Sequence, residues 1–126
     1  HVLEPLSGYL SLAERVYNRN FKKLTPNWNF GPNLSSCKSV KYIANYFSKP
    51  LNLKVISKKN NNNTFKPETS ILRLSNFKAK KYLGWKPRWT LNESLDKIIE
   101  WNRLIKKEKT LNVCEEQIIS FENKNN

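Results

Sequence analysis

The stretch Lys78-Ala79-Lys80-Lys81-Tyr82-Leu83-Gly84-Trp85-Lys86-Pro87-Arg88-Trp89-Thr90-Leu91-Asn92-Glu93 constrains the fold of this chain more than any other. Gly84 can take the left-handed conformation that closes a helix, and Pro87 prevents that helix from resuming. Thr90 and Glu93 have the spacing of a capping box, in which each side chain accepts a backbone N–H of the other residue. A second helix should therefore begin just after Thr90. Trp85 and Trp89 flank the proline as large apolar anchors. The result is helix, fixed corner, helix, and the corner reads as a structural device.

The rest of the chain is less tightly specified. His1-Val2-Leu3 reads as the end of a strand, and Pro5 suits the first turn of a helix, where its missing N–H costs nothing. Leu6, Leu10, Ala13 and Tyr17 then recur at helical spacing, which predicts an amphipathic helix over 4–19. Gly8 inside it costs about 1 kcal/mol relative to alanine. A residue that small calls for close approach by a packed helix, another backbone or a ligand. Trp28-Asn29-Phe30 reads as a short strand stopped by Gly31-Pro32. Ser39 caps a helix with Val40, Ile43, Ala44 and Phe47 on one face, ended by Pro50.

Leu51, Leu53 and Val55 alternate as a strand over 51–56, and 57–66 is a polar loop rich in lysine and asparagine. Ile71 to Leu74 is a short extended run, and Ser75 caps a helix through Leu83. Beyond the corner, Leu91, Leu95, Ile98, Ile99, Asn102 and Ile105 mark one face of a helix of about four turns. Glu115 to Phe121 forms a last short helix before a frayed tail. Strands alternating with helices predict an α/β fold.

Composition bounds the function. No apolar run is long enough to span a membrane. The sequence has no methionine, so His1 is not an initiator, and the chain reads as beginning inside a longer polypeptide. Cys37 and Cys114 are far apart with no CxxC pair and read as free thiols, and with one histidine there is little from which to build a zinc site. The net charge of +13 is concentrated in residues 38–90, where Glu68 is the sole acid. Lysine is enriched there together with asparagine and spread singly, which reads as a solvated basic face. A nucleic-acid-binding module would instead need one continuous lysine patch with Tyr42, Tyr46, Phe65 and Trp85 exposed beside it. An electrostatic site for a phosphorylated ligand is the other use of such charge.

The motifs of a self-contained enzyme are missing. The three glycines form neither GxGxxG nor a P-loop. Tyr82 and Lys86 have the YxxxK spacing of short-chain dehydrogenases, but Gly84 and Pro87 break the helix that would place both side chains on one face. Glu93, Asp96 and Glu100 read as a solvated acidic face near a helix N-terminus. Glu68, beside a proline in a loop leading into an extended run, is either a ligand contact or another surface acid.

Taken together, His1-Val2-Leu3-Glu4-Pro5-Leu6-Ser7-Gly8-Tyr9-Leu10, Leu12-Ala13-Glu14, Trp28-Asn29-Phe30-Gly31-Pro32, Lys78-Ala79, Leu83-Gly84-Trp85-x-Pro87-x-Trp89 and Glu116-Gln117-Ile118-Ile119 resemble the C-terminal part of the CDP-glucose 4,6-dehydratases. The first ten residues are the more specific signal, because related sugar-nucleotide epimerases and dehydratases share versions of LGWxPxW. The resemblance implies an extended short-chain dehydrogenase fold. Its N-terminal Rossmann domain would bind NAD ahead of His1, and a smaller C-terminal lobe would close over a sugar nucleotide. It further implies oxidation at C4 of the hexose, loss of water across C5 and C6, and return of the hydride to C6, for deoxysugar and surface polysaccharide synthesis in the cytoplasm, by a homodimer.

On this reading residues 1–37 pack on the Rossmann domain, 38–112 form the small substrate-binding lobe, and 113–126 are a short helix and tail. No catalytic, cofactor or metal residue falls in the chain, and the segment alone is expected to be inactive. Three residues carry over as substrate-binding candidates. Asn29 would hold a ribose or phosphate, or stabilise a turn. Glu68 matches the glutamate of the family's His-Glu-Ala segment, with Pro67 in place of the histidine. Arg73 aligns with a basic residue and would pair with a phosphate. Another sugar-nucleotide dehydratase or a 4-epimerase is the alternative within the class.

Overall fold

The computed structural model describes residues 1–18, 27–56 and 74–124. The polar loop expected at 57–66 lies outside this set, as do Glu68, Arg73 and most of the extended run 71–74. The described residues fold into five helices: α1 (Leu3–Tyr17), α2 (Val40–Ser48), α3 (Phe77–Leu83), α4 (Leu91–Leu104) and α5 (Thr110–Glu122), with a single 3-10 turn at Leu34–Ser36.

No strand occurs among the described residues, so the sheet of the expected α/β fold has no counterpart there. The causes are local. His1-Val2-Leu3 enters α1 instead of ending a strand, and the His1 imidazole accepts the Leu3 amide at 3.3 Å. Trp28-Asn29-Phe30 is irregular because side chains take the groups around it that a ladder would have used. Lys78 donates to the Asn27 carbonyl at 2.6 Å, and Asn76 donates to the carbonyls of Gly31 (2.9 Å) and Pro32 (3.3 Å). Residues 51–56 begin as the turn that closes α2. Asn52 has φ 53°, a conformation its short amide side chain tolerates, and the Leu53 amide returns to the Ser48 carbonyl at 2.8 Å. Leu53, Val55 and Ile56 stay exposed beyond it.

The helices follow their sequence signals more closely. Ser39 caps α2 by accepting the Tyr42 amide. Gly84 ends α3 at φ 69°, with its amide bonded to the Lys80 carbonyl and that of Trp85 to the Ala79 carbonyl. The Thr90–Glu93 capping box opens α4. The last helix starts five residues earlier than expected, at Thr110. Its buried stripe is Val113, Gln117 and Phe121, whereas Ile118 and Ile119 face outward. Gln117 is tolerated inside because its amide donates to the Lys97 carbonyl at 2.7 Å.

The corner joins two small cores. On one side Ala79, Leu83 and Trp85 pack against Leu12, Trp28 and Phe30. On the other, Trp89 meets Phe121 edge-on at 4.9 Å, near the buried Leu95, Ile99 and Val113. Helix α2 is tied to α4 by Tyr42 and Tyr46, whose hydroxyls donate to Asn92 (3.1 Å) and Asp96 (2.8 Å).

Candidate functional site

The richest meeting of side chains lies where the start of α1, the 27–33 segment and the corner converge. Pro5 and Glu4 sit in the first turn of α1, which aims the Glu4 carboxylate at the corner. That carboxylate accepts the Trp89 amide at 2.8 Å and the Arg88 amide at 3.1 and 3.2 Å. One turn on, the Ser7 hydroxyl accepts the Trp85 indole N–H at 2.9 Å and donates to the Glu4 carbonyl at 2.7 Å. The corner is thus pinned to α1 from residues about eighty positions away in sequence. A cavity of about 230 Å³ lies beside it, lined by Glu4, Phe30, Gly31, Trp85, Trp89 and Ser94 among others. Two more open recesses, of about 440 and 560 Å³, run along α1 and α5 past Leu3, Leu10, Trp101 and Ile118.

Electrostatics at the corner favour architecture over proton transfer. Glu93 is held down to about 2, first by its bond to Lys124 and then by the Thr90 amide and hydroxyl. A carboxyl so committed to its charged form is a poor general acid. Tyr46 is pushed up by its hydrogen bond to the Asp96 carboxylate, so its phenol keeps its proton. Among the described residues no three His, Cys, Asp or Glu side chains gather as metal ligands would, and Cys37 and Cys114 are free thiols.

The resemblance implies NAD, and a phosphate-cradling turn would have to use the glycines. All three have other causes. A Cβ on Gly8 would fall 2.2 Å from the Phe30 ring, and one on Gly31 would meet Leu74 at 3.0 Å. Gly84 faces open space and is needed for its φ of +69°. None lies in a strand-to-helix turn, so the glycines do not form a phosphate cradle for that cofactor. Tyr82 and Lys86 do not form a catalytic pair, because α3 ends between them at Leu83.

Of the three substrate-binding candidates, Asn29 alone is described, and it lies exposed between Trp28 and Phe30. Glu68 and Arg73 are outside the described residues. Trp85, one of the aromatics needed for stacking on nucleic acid, is 6% exposed and fixed in the core. Among the described residues no helix is long and apolar enough to cross a membrane. Sequence reasoning missed Glu4, Ser7 and Arg88. The available signal was Glu4 beside a helix-starting proline, but nothing local to it names a partner near residue 88.

No family model matches the chain. It is 35% identical, over 127 aligned residues, to the CDP-glucose 4,6-dehydratase of Salmonella typhimurium. The alignment takes in 95% of this chain and 33% of that protein, so the chain spans about a third of the length of this relative.

Proposed function

We propose that this chain forms the substrate-closing, C-terminal part of a sugar-nucleotide 4,6-dehydratase that converts CDP-glucose to its 4-keto-6-deoxy product, with NAD held by a Rossmann domain outside these residues. The observation that carries the reading is the 35% identity sustained over 95% of the chain. In this role the chain binds and covers while the chemistry is done elsewhere. Residues 1–37 would face the NAD-binding domain, 38–112 would form the lobe over the sugar nucleotide, and Asn29, Glu68 and Arg73 would touch the substrate. The working enzyme would be a cytoplasmic homodimer.

The surface of α1 supports a covering domain. Leu10 is 72% exposed and Leu6 42%, on a helix whose period marks both as core-facing. The test is to express the protein as its gene encodes it, incubate it with CDP-glucose and NAD, and follow loss of one water by mass spectrometry. Formation of the 4-keto-6-deoxy nucleotide is expected. No turnover of CDP-glucose, or preferential turnover of another nucleotide sugar or epimerisation at C4, would overturn the assignment.

A further inference from the structure

We infer that Glu4 and Arg88 form a two-step latch, which makes the docking of α5 conditional on the corner being seated on α1. The geometry turns on one dipeptide, Arg88-Trp89. Both of its backbone amides donate to the Glu4 carboxylate, at 2.8 to 3.2 Å. Both of its side chains engage Phe121. The Arg88 guanidinium lies 5.1 Å from the Phe121 ring centre, and the Trp89 ring meets that ring edge-on at 4.9 Å. Arg88 Nη1 also donates to the carbonyls of Phe121 (3.1 Å) and Glu122 (3.2 Å), the negative end of α5.

The latch acts at the C-terminal end of α5, a helix that also lies against α4 with Val113 and Phe121 buried and Gln117 bonded to the Lys97 carbonyl. The start of α5 has no side-chain cap, and three of its five large apolar residues, Leu111, Ile118 and Ile119, face solvent. Among the described residues its other ties include, just beyond its end, the pair of Lys124 with Glu93. Glu4, in turn, forms no ion pair among the described residues, so its charge acts on the two corner amides. If Glu4 lets go, the corner backbone can rotate and Arg88 loses the aim that places one nitrogen between two carbonyls. The consequence is mechanical. Helices α1 and α5 are the walls of the recess of about 560 Å³ that contains Arg88, Leu6, Leu10, Ile118 and Phe121, and releasing α5 opens it.

The test is hydrogen exchange on the natural protein as its gene encodes it, comparing Glu4→Gln, Arg88→Ala and the double variant. Each single variant should speed exchange of the α5 amides from Val113 to Phe121 by about tenfold or more, as loss of a bond to a charged group implies. The double variant should be no faster than Arg88→Ala, because the two residues act in series. Glu14→Gln, an exposed acid on the same helix, should leave α5 unchanged. If Glu4→Gln does not fold, Glu4→Asp keeps the charge but withdraws the oxygens by one methylene. It should loosen α5 together with the amides of Arg88 and Trp89. Loosening of those two amides without α5, multiplicative effects in the double variant, or an equal effect from Glu14→Gln would overturn the latch.

Discussion

Replacing Gly8 by alanine sets two effects of known sign against each other. In an open helix the change would stabilise by about 1 kcal/mol, because alanine restricts the unfolded chain and glycine does not. Here the new methyl would stand 2.2, 2.5 and 2.6 Å from three atoms of the Phe30 ring, well inside van der Waals contact. Withdrawing the ring disturbs the aromatic contacts that hold it. It packs edge-on against Tyr9 at 5.3 Å on one side and against Trp85 at 5.1 Å on the other. Moving it weakens two aromatic pairs worth about 0.5–1.5 kcal/mol each, and overpacking adds a cost of about 1–3 kcal/mol. The steric side wins, so Gly8→Ala should destabilise by about 1–3 kcal/mol in urea unfolding followed by tryptophan fluorescence. The Phe30→Ala background removes the obstacle and should turn the same substitution stabilising by about 1 kcal/mol. A stabilising Gly8→Ala in the wild-type background would refute the claim that close packing fixes this glycine.

Three further outcomes follow from the corner. Gly84→Ala meets no steric obstacle but must hold φ near +69°, so it should cost about 1–2 kcal/mol, and Gly84→Asn, which tolerates that region, less; thermal melts of the two variants check the order. Because Glu93 sits at about 2 when folded and at 4.5 ordinarily, its contribution is full above pH 4.5 and lost as pH falls from there towards 2. An acid titration of wild type against Glu93→Gln should show the variant flatter in that window, and identical profiles would count against the pairing. Thr90→Ala removes the other half of the box and should cost about 1 kcal/mol, with fraying at the start of α4 visible by hydrogen exchange.

The helices were legible in the sequence where a signal needs no distant partner. Gly84, Ser39 and the Thr90–Glu93 pair act within a few residues of themselves, and each ends or starts a helix where its chemistry says it should. The strands expected among the described residues, at 1–3, 28–30 and 51–56, failed for the opposite reason. Alternation in Leu51, Leu53 and Val55 describes side-chain faces, whereas a strand also needs a second backbone to pair with. Around Trp28 that role went to the side chains of Asn76 and Lys78. Helix α5 was read too short because no local signal marks its start: Lys109 offers no side-chain cap and Leu111 faces solvent. The tie from Glu4 to Arg88 joins two residues far apart in sequence, and no periodicity reports it. Of the candidate site, Asn29 could be placed and Glu68 and Arg73 could not, because they lie outside the described residues.

Several of the residues that carry the resemblance help hold the described fold together. Glu4 and Ser7 anchor the corner to α1, Gly8 admits the Phe30 ring, Gly84 turns α3, and Trp85 and Trp89 fill one core each. Each demand is steric or met by hydrogen bonds that position the corner. A sequence signature made of such residues reports an architecture. It follows that activity and signature can be separated by experiment. Substitutions at Gly8 or Trp85 should act through stability, lowering the amount of folded enzyme while leaving the turnover of each folded molecule unchanged. A substitution at Asn29, exposed and outside this packing, should spare stability and change affinity for the sugar nucleotide if the proposed role is correct.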